Sequence, residues 1–188
     1  MKAWDSGRVQ NKMLNKLERQ EKQQAFLQEK FFKFKFREIH NTLSQALLMK
    51  KIIETDNPAA ISEAILLGMK KALRSTEFDF KYFISPLRDI TPRANPYSLY
   101  MTQYILEVII NDPDVIEVFG TDLDIYNVVN EVIGKSRLQF ERAEEQALAQ
   151  LANNKSLVLG SRDYEIALDQ LLREKTEGAF MVENASGK

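Results

Sequence analysis

Cysteine is absent from this chain of 188 residues, and histidine occurs once, as His40. Without cysteine the chain cannot form disulfides, thiolate metal sites, iron–sulfur clusters or a cysteine nucleophile. A single imidazole also excludes the common zinc sites, which need two, and leaves one candidate for the usual general base. Because His40 follows Arg37 and Ile39 on one helical segment, we interpret it as a packing or surface residue.

Glycine and proline are scarce as well, with 7 and 5 residues. No two glycines lie closer than nine residues apart, so the chain lacks a glycine-rich loop of the kind that holds phosphates. Several acids lie between Asp112 and Asp124, but the sixth position counted from Asp112 is Glu117, where a calcium loop needs glycine. We interpret these acids as helix caps, and we expect no metal, no cofactor and no enzymatic activity.

Long apolar runs are also missing. The longest nearly apolar run, 104–110, is interrupted by Glu107 and is far shorter than the roughly 20 residues that span a bilayer. Residues 1–10 are polar and contain no apolar stretch of the kind that a secretory signal needs. These features predict a cytoplasmic protein without a transmembrane segment.

The hydrophobic residues that are present, 44% of the chain, recur mostly with helical spacing. One stripe, spaced by three or four, consists of Ile125, Val129, Val132, Ser136, Phe140, Ala143, Ala147 and Leu151. Segment 97–110 is apolar on nearly every side, which predicts a buried central helix. Its tyrosines Tyr97, Tyr100 and Tyr104 form either a seam at the core edge or the lining of a ligand pocket.

The sequence therefore predicts a mainly α fold, an irregular bundle of about five or six helices with a long N-terminal helix. Five helix starts are marked by a residue that can cap: Asn57, Asn95, Asp112, Thr121 and Ser161. Gly68 and Gly134 lie inside helical patterns, where each costs about 1 kcal/mol relative to alanine. That cost favours a close helix crossing or a bend at both positions.

Three segments leave more than one structure open. Residues 31–37 alternate Phe with Lys and Arg, which is a strand signature, but their surroundings favour helix. The short runs 115–120 and 156–160 end in glycine and form either a two-stranded β element or a half-turn and an extended linker. Residues 75–96, broken by prolines yet rich in aromatics, predict a packed irregular connection.

Charge is distributed unevenly along the chain, although its sum is only −1. Residues 1–51 carry 12 Lys and Arg against 5 acids, a charge of +7, and the remaining residues carry −8. We divide the chain into a basic helical arm at 1–30, a helical core domain at 31–175 and a flexible C-terminal tail at 176–188.

Three interpretations of the basic region compete. It packs on the acidic body or on a second copy, it places Met13, Leu17 and the Phe cluster of 31–36 in a partner's groove, or its Lys, Arg and Phe bind phosphates. We favour a non-enzymatic interaction or assembly module that acts through the N-terminal helix and self-associates, with a protein partner. The alternative is a nucleic-acid or anionic membrane-surface binder using 30–37. The candidate binding residues are Met13, Leu17, Lys30, Lys33, Lys35 and Arg37.

Overall fold

Five helices and one two-stranded antiparallel sheet make up the residues that the computed structural model describes, which are 29–74, 95–154 and 156–185, with side chains up to Thr176. The helices are α1 (29–49), α2 (Pro58–Leu73), α3 (Pro96–Ile110), α4 (Asp122–Ala152) and α5 (Arg162–Ala185). The strands are β1 (Ile53–Thr55) and β2 (Val115–Val118). The predicted mainly α fold with a short β element is confirmed. Most of the predicted arm and of segment 75–96 lies outside the described residues.

Capping side chains begin the helices where the sequence predicts. Asn57 accepts from the Ala60 N–H at 3.3 Å, and Asn95 accepts from the Tyr97 N–H at 3.0 Å. Thr121 and Asp124 form a reciprocal capping box at the start of α4. These contacts satisfy backbone donors that have no partner inside the helix.

The predicted helix start at Asp112 is wrong. Asp112 Oδ1 accepts from the Asp114 N–H at 2.9 Å, which makes a local turn that leads into β2. A short β-branched run with a pairing partner forms a strand here, so the aspartate stabilises a turn in place of a helix start.

The partner of β2 is β1, in the register Ile53 opposite Val118 and Glu54 opposite Glu117. Of the two structures left open for 115–120 and 156–160, pairing of the two runs with each other does not occur, and 156–160 lies in the turns between α4 and α5. Helix α1 ends before β1 because Lys51 takes a positive φ of 54°. The N–H groups of Lys51 and Ile52 then donate to the carbonyls of Leu48 and Leu47, the pattern that typically closes a helix.

The core is built as the helical stripes predict. All eight residues of the α4 stripe are buried, and segment 31–37 is helical, as favoured. Central helix α3 buries Leu99, Met101, Ile105, Leu106 and Ile109, although Glu107 and Ile110 at its end are exposed. One hydrophobic cluster includes residues from Phe31 in α1 to Leu172 in α5.

The two helical glycines differ. A Cβ atom at Gly68 in α2 would lie 2.7 Å from the Tyr104 carbonyl oxygen of α3, so this glycine permits a close helix crossing. A Cβ at Gly134 would have no neighbour within 4 Å in the described part of the chain, so of the two alternatives a close crossing by another described helix does not occur at Gly134. Helix α5 also continues past Thr176, the predicted start of the tail, as far as Ala185. The Thr176 hydroxyl is buried and donates to the Leu172 carbonyl at 2.7 Å.

Candidate interaction site

The basic segment at the start of α1 is held against the rest of the fold by ion pairs. Lys30 Nζ lies 2.6 Å from Glu144 Oε1 of α4, and Lys33 Nζ lies 2.8 Å from Asp169 Oδ2 of α5. Near the other end of α1, Lys50 lies 3.1 Å from Glu131 of α4. Because residue 50 meets 131 and residue 30 meets 144, α1 and α4 are antiparallel.

Lys35 is buried although its side chain is charged, and only 1% of the residue is exposed. Its ammonium lies 2.6 Å from Glu38 Oε2, which compensates part of the cost of burying the charge. The signal was present in the sequence, since Lys35 stands three residues after Phe32 and four before Ile39, and both of these are buried. Arg37, by contrast, is exposed.

The phenylalanines that alternate with these cations pack inward. Phe31 and Phe32 are buried, and the rings of Phe31 and Phe34 lie 5.7 and 5.9 Å from the Phe140 ring of α4. Phe36 is half-buried. These rings therefore join α1 to α4, which leaves little ring surface for stacking on bases. The other two candidate residues, Met13 and Leu17, lie outside the described residues.

A cleft of about 180 Å³ lies between α1 and α4. Its charged lining includes Glu38, Lys50 and Glu131, and Ser136, the polar member of the α4 stripe, lies at its wall. Glu38 pairs with Lys35, and Lys50 pairs with Glu131. No tyrosine lines this cleft, whereas Tyr97, Tyr100 and Tyr104 are half-buried on α3.

His40 connects α1 to α2. Its Nε2 lies 2.7 Å from the Ser62 carbonyl oxygen and 3.2 Å from the Ser62 hydroxyl, which is itself 3.4 Å from the Ser44 hydroxyl. Because a carbonyl oxygen only accepts, Nε2 carries the proton and donates. In this tautomer His40 cannot take a proton from Ser62 through Nε2, so the contact serves to join two helices.

Sequence reasoning missed a surface that forms when β1 pairs with β2. The segments 52–57 and 111–124 meet through this pairing and contain seven acids and no Lys or Arg: Glu54, Asp56, Asp112, Asp114, Glu117, Asp122 and Asp124. The cluster in 111–124 was visible in the sequence, but β1 is three residues long and its pairing with β2 had no local signal. Lys50 and Lys51 border the surface.

Two of these acids form hydrogen bonds within their own segment of the chain. Asp112 forms the turn before β2, and Asp124 accepts from both the side chain and the backbone N–H of Thr121, at 2.6 and 2.9 Å. The hydrogen bond from the Thr121 side chain, with a smaller contribution from the backbone one, lowers the pKa of Asp124 below its ordinary value. Glu54 and Glu117 are exposed and lie directly opposite each other across the two strands.

Apolar side chains accompany the glutamates. Val118 lies opposite Ile53 and is half-buried, so its neighbours Glu117 and Phe119 point to the other side of the sheet. Phe119 is 59% exposed, and its N–H donates to the Ile52 carbonyl at 2.8 Å. Ile116, at the irregularity in the register, is 57% exposed. We call the outer side of the sheet, with Glu54, Glu117 and Phe119, together with the adjoining exposed Ile116, the ribbon face.

No described helix is long and apolar enough to cross a membrane. In the same residues, no three His, Asp or Glu side chains are grouped so that they could hold a metal ion.

The candidate interaction site therefore consists of the ion pairs of α1 and the ribbon face. No protein-family model, no curated protein and no solved structure matches this chain.

Proposed function

We propose that this protein is a non-enzymatic interaction and assembly module that self-associates through its basic N-terminal arm. The observation that carries the proposal is a separation of charge. Cations are concentrated before residue 52, and the acidic ribbon face carries exposed apolar side chains of the kind that mark contact surfaces.

Residues 1–28 of the arm supply the charge for such a contact. Residues 1–28 contain six Lys or Arg against three acids, whereas Lys30, Lys33 and Lys35 already pair with acids of the same chain. Lys12, Lys16 and Arg19 follow one another at helical spacing, beside Met13 and Leu17. A helix with this pattern presents cations next to an apolar strip, which suits an acidic surface with apolar residues.

These ion pairs favour a protein partner over phosphates. Three of the four cations in 30–37 have carboxylate partners, and Phe31 and Phe32 are buried. Binding of nucleic acid or anionic membranes through this segment is the alternative. A low-salt gel shift with RNA and DNA and a sedimentation assay with anionic vesicles test it, since phosphate binding weakens steeply with salt.

Sedimentation velocity of the full chain tests self-association. We expect an oligomer whose population rises with protein concentration and falls as salt rises from roughly 50 to 500 mM, because exposed charges are then screened. The triple variant K12Q/K16Q/R19Q should shift toward monomer. The matched control K70Q/R142Q/R162Q removes three exposed cations from the body and should associate as the wild type does. A wild-type chain that stays monomeric at every concentration, or an arm variant that associates as strongly as the control, contradicts the proposal.

A further inference from the structure

We infer that the ribbon face of one copy binds the N-terminal arm of a second copy, so that the chains associate head to tail. The inference rests on the self-association proposed above and specifies where the arm binds. It assigns a partner to an outer sheet face that the described fold leaves in solvent.

The ribbon face contains a repulsion between two carboxylates that no described ion pair compensates. Glu54 and Glu117 are both exposed and directly opposed, an arrangement in which like charges destabilise the strand pair. No described ion pair includes either residue. A cation placed between the two carboxylates would reverse the sign of this interaction, and the arm carries such cations.

The apolar residues of the same face supply a second kind of contact. Phe119, on the side of the sheet that holds the glutamates, is 59% exposed, and Ile116, next to Glu117 at the irregularity in the register, is 57% exposed. Carboxylates and an aromatic side chain on one small surface match a helix that presents Lys next to Met and Leu. If helical, the stretch from Lys12 to Arg19 is about 10 Å long, and the four residues of β2 extend about 13 Å.

The occupant is assigned to a second copy by the direction of α1. The C-terminal end of α1 leads directly into β1, and residue 29 lies at the other end of the helix, about 30 Å away at 1.5 Å per residue. If residues 12–28 are helical, they extend about 25 Å, which is shorter than the way back along α1 to the ribbon face of the same copy. The contact is therefore assigned to a second copy, and such a heterologous contact generates rings or open chains.

Charge reversal on each side tests the contact. The arm variant K12E/K16E/R19E and the ribbon variant E54K/E117K should each associate at least tenfold more weakly than the wild type in sedimentation velocity at low salt. An equimolar mixture of the two should recover association, because the reversed arm of one variant faces the reversed ribbon of the other, and the unaltered arm faces the unaltered ribbon. The control E145K/E174K makes the same charge change at exposed sites on α4 and α5 and should associate normally.

The outcomes separate this inference from the proposed function. A monomeric wild type overturns both. Arm-dependent association that E54K/E117K leaves unchanged, or a mixture that recovers nothing, overturns the ribbon contact alone. Circular dichroism verifies that each variant folds. If E54K/E117K does not fold, the milder E54Q/E117Q replaces it and should flatten the salt dependence of association.

Cross-linking identifies which copy supplies the arm. Equal amounts of ¹⁴N- and ¹⁵N-labelled full-length chain are mixed and treated with a carbodiimide, which joins a lysine to a nearby carboxylate. We expect mixed-isotope peptides that join Lys12 or Lys16 to Glu54 or Glu117. Links found only within one isotope show that the arm binds its own ribbon face, which overturns the assignment to a second copy.

Discussion

The crossing of α2 over α3 at Gly68 makes a quantitative prediction, because the chain has a matched control in Gly134. Alanine at Gly68 would place its Cβ 2.7 Å from the Tyr104 carbonyl oxygen and 3.0 Å from the Ile105 Cα. Both atoms belong to the α3 backbone, so the contact cannot be relieved by a rotamer change and the helices must separate. Overpacking of this kind costs about 1–3 kcal/mol.

The same substitution at both glycines removes the same backbone entropy from the unfolded chain. Gly→Ala in a helix contributes about 1 kcal/mol of stability when there is space for the methyl group. Gly134→Ala should therefore raise the free energy of unfolding by up to about 1 kcal/mol. Gly68→Ala should lower it, since the steric cost exceeds the gain, and the difference between the two variants isolates the steric cost of about 1–3 kcal/mol.

Urea unfolding followed by circular dichroism measures both free energies, with the slope m compared to verify that the unfolding transition is the same. A larger substitution, Gly68→Val, should be worse than Gly68→Ala. If Gly68→Ala and Gly134→Ala stabilise the protein equally, α2 and α3 do not cross at Gly68 as described.

Three further changes test individual contacts by the same unfolding assay. Glu38→Ala should lower the free energy of unfolding by about 3 kcal/mol, because it leaves the buried Lys35 ammonium without its carboxylate. Lys35→Met should be neutral or stabilising. If Lys35→Met destabilises the protein more than Glu38→Ala does, the buried pair is refuted. The pKa of Asp124 is lowered in the folded protein. The contribution of the Asp124 carboxylate to the free energy of unfolding is therefore complete well above the ordinary pKa of about 3.9, and it is lost as the pH falls through the pKa of the folded state. The stability difference between wild type and Asp124→Asn should therefore shrink between about pH 6 and about pH 2, and a difference that stays constant contradicts the capping role. Lys51→Gly should stabilise by about 0.5–1 kcal/mol because Lys51 has a positive φ, whereas Lys50→Gly, its control, should destabilise.

Local signals account for the parts of the fold that could be predicted from sequence. A capping side chain and the N–H group that donates to it lie within three residues of each other, as at Asn57 and Thr121. The whole pattern is therefore contained in a short stretch of chain. The α4 stripe is equally local. Asp112 shows the limit, because an aspartate before proline stabilises a turn as readily as a helix start.

Contacts between distant segments account for the errors. A glycine in a helical pattern does not indicate whether another helix lies beside it, and so Gly68 and Gly134 have the same pattern but different surroundings. The ribbon face depends on the pairing of Glu54 with Glu117, which no periodicity in either segment reveals. Lys35 shows the same limit, because its charge is read from the sequence at once, whereas its burial, with only 1% of the residue exposed, depends on how α1 packs.

The register of the two strands has a consequence for the order of folding. Thr55 pairs with Val115, so forming the sheet closes a loop of about sixty residues, and the entropy of that closure must be compensated by contacts formed inside the loop. Only three residue pairs make up the ladder, too few to compensate it alone. We therefore expect the strands to pair after α2 has packed on α3 and to open before α4 does. Native-state hydrogen exchange should show this as faster exchange at the amides of β1 and β2 than at those of α4. If self-association covers the ribbon face, exchange at the strand amides should become slower in the oligomer.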